Sequence, residues 1–226
     1  MSLARAVWLI LRKDVLTEMR TREVVATMGL FSLLLVVVFA FAFPVDLRSA
    51  RVVAPGVLWV VVLFAGTLGL GRVFDREREA GCLTALVLAP GGAMAVYIAK
   101  VLGVLLFTLV VEIITLPVAL LFLRISVPAE GVGLLVVALL LGTVGFSLIG
   151  TLFAGMLANA RLREVLVPVV VYPVVVPVII AGVELTSIAL GHGLPFEASR
   201  WLKLMLGFDL LFVAVAPWVF DKVMVE

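Results

Sequence analysis

The sequence predicts an all-α, polytopic membrane protein: six transmembrane helices, an N-terminal helix lying on the membrane surface, and one domain over residues 1–226. Three observations predict it. The chain is 65% hydrophobic and 14% charged, whereas soluble domains run about 45–50% apolar and about 25% charged. Its mean hydropathy is +1.33. Its apolar residues also gather into six stretches near the roughly 20 residues a helix needs to cross about 30 Å of hydrocarbon. Six spans and their connections leave no room for a further globular domain, so any ATP-hydrolysing engine has to be another chain.

The elements follow in order. Leu3, Val7, Ile10 and Leu11 oppose Arg5 and Arg12, which predicts an interfacial helix over 2–22. Eight charges up to Glu23 break the N-terminal stretch into short apolar runs, so the first span is expected to be an uncleaved anchor. That span covers 24–43, closed by Pro44, and the second covers 53–71. A run of mixed charge from Arg72 to Glu79 separates it from the third span, 95–123, which carries Lys100, Glu112 and Pro117. The fourth, 131–158, contains Gly142, Gly145, Gly150 and Gly155, small residues that let helices approach. Pro168, Pro173 and Pro177 in the fifth, 165–183, remove backbone donors, so this helix is expected to pack against protein. The sixth, 202–220, holds Asp209 and Pro217; the stretch 184–200, with Gly191-His192-Gly193 and Pro195, is expected to form an outer connection that dips partway into the membrane.

Lys and Arg counts set the orientation. With the N-terminus cytoplasmic, eleven basic residues fall at inner ends and five at outer ends, which predicts both termini inside.

Much chemistry is excluded. A phosphate-cradling loop needs Gly before Lys and then Ser or Thr, and Lys13, Lys100, Lys203 and Lys222 follow Arg, Ala, Leu and Asp. A net charge of +2, scattered, argues against nucleic acid. The single cysteine, Cys82, excludes an intramolecular disulfide and a Cys-x-x-Cys pair. Gly145-Phe146-Ser147-Leu148 has the form of an intramembrane serine nucleophile. Its only possible histidine, His192, lies in an outer connection while Ser147 is about 24 Å down its helix, so Ser147 reads as a packing hydroxyl. His192 reads as a polar loop residue.

Charges inside spans cost about 2.5–3.5 kcal/mol each on insertion scales and point to function. Lys100, near the inner end of its span, is expected to snorkel to the surface. Glu112 lies about 18 Å further along the helix and cannot pair with it, so it needs another partner or a proton. Asp209 lies about 10 Å below the outer start of its span. These two acids could line a proton or cation path, or bond neighbouring helices. The inner connection starting at Phe74, Asp75, Arg76, Glu77, Arg78 and Glu79, ended by Gly81 and followed by Leu83 and Leu86, sets mixed charges beside an apolar anchor and reads as a handle for a soluble partner.

At these residues the sequence resembles the haem exporter protein B (CcmB) family, within the ABC-2 type of permease. The resemblance is carried by Ala54-Pro55-Gly56-Val57-Leu58-Trp59-Val60, Arg72-Val73-Phe74, Gly81-Cys82-Leu83 with Leu86 and Pro90, and Ala99-Lys100-Val101. Thr108, Pro117, Leu139 to Thr143 and the proline-studded Val165 to Gly182 fit the same pattern, covering roughly residues 1–183. Where the family tends to place Asp-Gly-Ser or Asp-Gly-Thr and then Leu-Glu, this chain has Ala80-Gly81-Cys82-Leu83-Thr84, and Glu112 matches no family acid. The resemblance implies a non-catalytic permease subunit of the bacterial inner membrane, with a cytoplasmic coupling helix over Phe74 to Leu86 seated on an ATPase subunit (CcmA-like). It implies a permease homodimer, with a haem-handling subunit (CcmC-like), a small subunit (CcmD-like) and a haem chaperone (CcmE-like) as partners in cytochrome c maturation. This chain would bind no cofactor, ATP and Mg residing on the ATPase and haem on partner subunits. Two rivals stay open: an ABC-2 exporter of lipid, glycan or drug, and an ion-coupled secondary transporter using Glu112 and Asp209.

Overall fold

The structure is a computed structural model that describes residues 2–42, 47–79, 81 and 92–225. Eight α-helices and one short 3-10 turn account for nearly all of them, with no strand among the described residues. In chain order they are α1 (Leu3–Thr21), α2 (Glu23–Ala42), α3 (Leu47–Arg72), α4 (Asp75–Glu79), α5 (Gly92–Phe122), α6 (Ala129–Met156), α7 (Arg163–Ala189), a 3-10 turn (Pro195–Glu197) and α8 (Ala198–Val225). Six helices are long and apolar enough to cross a bilayer.

The break between α1 and α2 is one residue wide. Arg22 adopts a left-handed conformation (φ 54°), and its N–H closes α1 on the Glu18 carbonyl. The buried Glu18 carboxylate then accepts the N–H of Val25 at 2.9 Å, meeting one of the orphan donors that every helix start leaves. One acid therefore turns the chain from a surface helix into a span. α1 packs along α5 through the face bearing Ala6, Ile10 and Leu11, while Trp8, Leu16 and Met19 stay exposed on another face. That leaves an apolar strip available to the membrane surface.

The core forms around α6, which packs chiefly against α7 and α8. Its glycines are sockets rather than bends. A Cβ at Gly142 would strike Trp59, at Gly150 Leu70, at Gly145 Asp209 and at Gly155 Phe220, so side chains from α3 and α8 enter in alternation. Gly182 of α7 receives the other side of the Trp59 ring, whose Nε1–H donates to Thr186 Oγ1 at 3.0 Å. The small residues thus admit knobs, and the helices meet through side chains.

The connection after span five differs from expectation. Residues 184–189 continue α7, because Leu185, Thr186, Ile188 and Ala189 extend its buried stripe and the Trp59 bond needs Thr186 in helical register. The helix closes at Gly191 (φ 81°), and the exposed His192 sits in the short turn beyond it. The connection between α7 and the 3-10 turn is therefore much shorter than 184–200.

The even number of spans brings both ends of the described chain to one end of the bundle. There Phe74 stacks on Phe220 of α8 (centroids 6.4 Å apart), and Arg163 at the start of α7 pairs with Asp75. This is called the α1 end below.

Candidate functional site

The residues after α3 build the first part of the site. Arg72 ends the span, Val73 and Phe74 turn, and α4 makes little more than one helical turn before Gly81, whose φ of +62° suits a residue without Cβ. Phe74, 1% exposed, is rooted between Phe220 and Lys100, whose Nζ lies 5.5 Å from the ring centroid. Tyr97 packs on the other side of Phe220 at 5.1 Å and donates its hydroxyl to the Leu148 carbonyl. α4 is thereby tied to α5, α6 and α8.

Its charges divide by helical face. Asp75 and Glu77 turn inward, whereas Arg76, Arg78 and Glu79 are exposed. Asp75 pairs with Arg163 of α7. Glu77, 2% exposed, accepts from Lys100 of α5 at 2.8 Å and from Lys13 of α1, while Asp14 reaches Lys100 at 3.0 Å and Lys13 at 3.1 Å. Two ammonium groups and two carboxylates thus interlock α1, α4 and α5. Lys100 does not snorkel: it is 3% exposed, because counter-charges from two other helices reach it inside the protein. Leu83, Leu86 and Cys82, which belong to the expected handle, lie outside the described residues.

Lys13 is partly exposed at this cluster. Burial pulls its ammonium down, but the hydrogen bond to Glu77 and the charges of Asp14 and Glu77 outweigh that, holding it above its ordinary 10.5. A raised lysine contributes its stabilisation fully below the ordinary value and loses it as pH climbs through the folded value. With the intrinsic base-catalysed rate divided out, protection of the α1 amides against exchange is expected to fall only at such strongly alkaline pH, with no step near neutrality.

A cavity of about 890 Å³ opens beside this cluster, bounded by α1, α2, α3, α4, α5 and α7. Its mouth is acidic: Asp14, Glu18, Glu23, Asp75, Glu77, Glu79 and Glu164 against Arg72, Arg76 and Lys100. Its depth is apolar, with Met28, Phe31, Phe64, Phe107 and Tyr172, the Phe64–Tyr172 pair meeting edge to face at 5.9 Å.

Deeper in the membrane runs a polar seam. Glu112, 7% exposed, accepts from the Thr143 hydroxyl of α6 at 2.6 Å, and Ser32 of α2 bonds Thr115 at 2.8 Å. Asp209 lies elsewhere, against Gly145 and Val178, and neither carboxylate oxygen has a partner among the described residues. Positions 143 and 145 are two residues apart, about 200° around α6. Glu112 and Asp209 therefore face opposite sides of that helix, and the structure does not join them in one path. Ser147 bonds the Thr143 carbonyl at 2.6 Å, as a helix hydroxyl does.

Sequence reasoning singled out Asp75, Glu77, Lys100, Glu112 and Asp209 but missed Lys13, Asp14, Arg163 and Thr143, which partner the first four. The Thr108–Glu112–Thr115 spacing, one face of a helix, was the available signal for the seam.

Six apolar helices around a shared core, with the buried ion pairs gathered at the α1 end and a few polar groups deeper in, define an integral membrane protein. The chain belongs to the CcmB protein family, whose model matches residues 5–225. It is 28% identical to "Heme exporter protein B" of Pseudomonas aeruginosa over 181 residues, 80% of each chain. Against the proteins of that name from Paracoccus denitrificans and Bradyrhizobium diazoefficiens it is 31% identical over 74% of each chain and 26% identical over 92%.

Proposed function

We propose that this chain is the membrane permease subunit of an ABC transporter complex for cytochrome c maturation, coupling ATP hydrolysis on a separate subunit to a conformational change in its own helices. The name shared by its relatives supports haem export as the process. The observation that carries the coupling is the wiring of α4. Phe74, Asp75 and Glu77 grip α1, α5, α7 and α8 from inside, while Arg76, Arg78 and Glu79 of the same turn are left outward. A partner that pushes on the outward face moves four helices at once. Such a partner shifts the permease only if it contacts the two conformations differently. In this reading the α1 end is cytoplasmic, the permease pairs with a second copy above an ATPase pair, and the haem-handling, small and chaperone subunits complete the assembly.

The chain in this proposal holds no cofactor; ATP and Mg belong to the ATPase and haem to other subunits. The acidic lining of the cavity supports that division: with Lys13 and Arg163, which pair with its Glu77 and Asp75, counted beside Arg72, Arg76 and Lys100, carboxylates still outnumber basic groups, which disfavours the propionates of haem. The test is capture of the ATPase subunit from mild-detergent extracts. The exchange Arg78→Glu with Glu79→Arg is expected to weaken capture by about tenfold or more, because mismatched charges at an interface cost kcal/mol-scale energies. Both residues are exposed, so the permease itself should stay folded. Undiminished capture and full cytochrome maturation would refute the assignment of α4.

A further inference from the structure

The function proposed above leaves Glu112 unused, yet the structure builds a route to it. On the buried face of α5, Lys100, Val104, Thr108 and Glu112 recur every four residues. The large cavity follows this face inward from Lys100 past Gly103 and Val104 to Thr108. A second, small cavity of about 20 Å³ begins at Thr108 and contains Glu112, Thr115 and Ser32. Thr108 lines both. A cavity needs about 10–15 Å³ of such volume to hold one water, so the small one can take a single molecule.

Thr108, like Thr151 of α6 but alone in bordering both cavities, differs from the helix threonines whose hydroxyls bond their own helix. Thr67 and Thr143 turn their hydroxyls back to the carbonyl four residues earlier, at 2.7 and 2.8 Å, as helix threonines commonly do. The Thr108 hydroxyl, 1% exposed, has no partner among the described residues. A buried hydroxyl between two cavities can accept a proton's worth of hydrogen bond from one side and donate to the other.

At Glu112 itself the geometry accommodates two protonation states. Thr143 Oγ1 lies 2.6 Å from Glu112 Oε1 and 2.8 Å from the Leu139 carbonyl, but one hydroxyl hydrogen fully serves one acceptor. With Glu112 ionised, Thr143 donates to the carboxylate. With Glu112 protonated, the acid donates to Thr143, which donates to Leu139. Around Glu112, α2 contributes Ser32, α6 contributes Leu139 and Thr143, and α3 contributes only apolar side chains from Leu58 to Ala65, so no charged or titratable group faces it. The charges on the route are the ten groups at the mouth of the large cavity named above, of which Lys100 lies about 18 Å from Glu112 along the helix rise.

We infer that Glu112 is a proton-binding site loaded from the α1 end of the molecule, with the Thr108 hydroxyl and one water in the small cavity as the final step. The path closes at the Ser32–Thr115 hydrogen bond and does not continue to Asp209. The site works without an ATPase, so failure of the capture experiment above leaves it standing, and its own failure leaves that proposal standing.

The test uses the full-length chain in membrane vesicles of both orientations and dicyclohexylcarbodiimide, which modifies protonated carboxyl groups in membranes. Modification is read at Glu112 by peptide mass spectrometry, with Glu112→Gln as the blank and Asp209→Asn as background. Maleimide labelling of Arg78→Cys, in a Cys82→Ser chain, reports independently which side holds the α1 end. Raising bath pH on that side is expected to lower modification by about tenfold per unit beyond the titration midpoint, and on the other side not at all. Infrared hydrogen–deuterium exchange of the Glu112 carboxyl in reconstituted protein is expected to slow about tenfold or more in Thr108→Val and to recover in Thr108→Ser, whose hydroxyl is retained. Absence of modification at every pH, titration from the opposite side, or equal exchange in Thr108→Val and wild type would each overturn the inference.

Discussion

Lys100→Met is expected to be among the most damaging single substitutions in this protein. Removing the ammonium leaves Glu77, 2% exposed, with only Lys13 of α1, itself half-exposed, as a counter-charge, and strips Asp14 of one of its two partners. Breaking a buried pair from one side costs about 3–5 kcal/mol, because the surviving charge keeps its burial and loses its compensation. Methionine keeps the length and apolar stem of lysine, so packing over Phe74 should survive and the loss is electrostatic. The double substitution Lys100→Met with Glu77→Gln removes both charges and is expected to recover much of the loss. Thermal unfolding in detergent of the two single variants and the double variant closes the cycle. Additive losses, with no coupling between the two positions, would contradict the buried network. If α4 carries motion into the membrane as proposed, the single variant should also loosen α1, which protection against proteolysis or amide exchange would report.

Trp59→Ala has an expected effect of similar size for a different reason. The ring is 1% exposed and fills two sockets at once, Gly142 of α6 and Gly182 of α7, while its Nε1–H satisfies Thr186. Truncation leaves a cavity where three helices meet and an unpaired hydroxyl, a combination that costs about 3–5 kcal/mol for a large aromatic side chain. Trp59→Phe keeps most of the ring volume and loses mainly the hydrogen bond, so about 1 kcal/mol is expected. From the other direction, Gly182→Leu should be as harmful as the truncation, since its Cβ already collides with the indole. Pairing Gly182→Leu with Trp59→Ala is expected to do better than either alone, because the leucine enters the vacated volume. If that pair instead added the two losses, the socket account of the core would be wrong.

These two sites mark where sequence reading stops. Trp59 and Gly142 were both visible, as part of an apolar run and as a small residue in a span, but nothing local says that one enters the other. The same holds for the charges. Lys13 and Glu77 are 64 residues apart and Lys100 and Glu77 are 23 apart, so no helical spacing rule relates them. Lys100 was expected at the surface because an isolated span offers lysine only its stem and the interface. The fold supplied a closer counter-charge. Glu112 needed a partner by the same reasoning, and that partner proved to be a threonine hydroxyl on α6.

The number of long apolar helices and the placement of both chain ends at one end of the bundle were determined by the sequence alone, because a bilayer demands a minimum apolar length per crossing; the helices themselves run longer than the expected spans, α3 over Leu47–Arg72 against 53–71 and α8 over Ala198–Val225 against 202–220. The short turn after α7 was not, since only packing of Leu185 and Ala189 and the Trp59–Thr186 bond holds those last residues helical. Tertiary structure alone decided which acid meets which base, which cavity reaches Glu112, and which face of α4 turns outward. Those outcomes depend on how helix faces are oriented toward one another, a property of all the side chains together that no single segment contains.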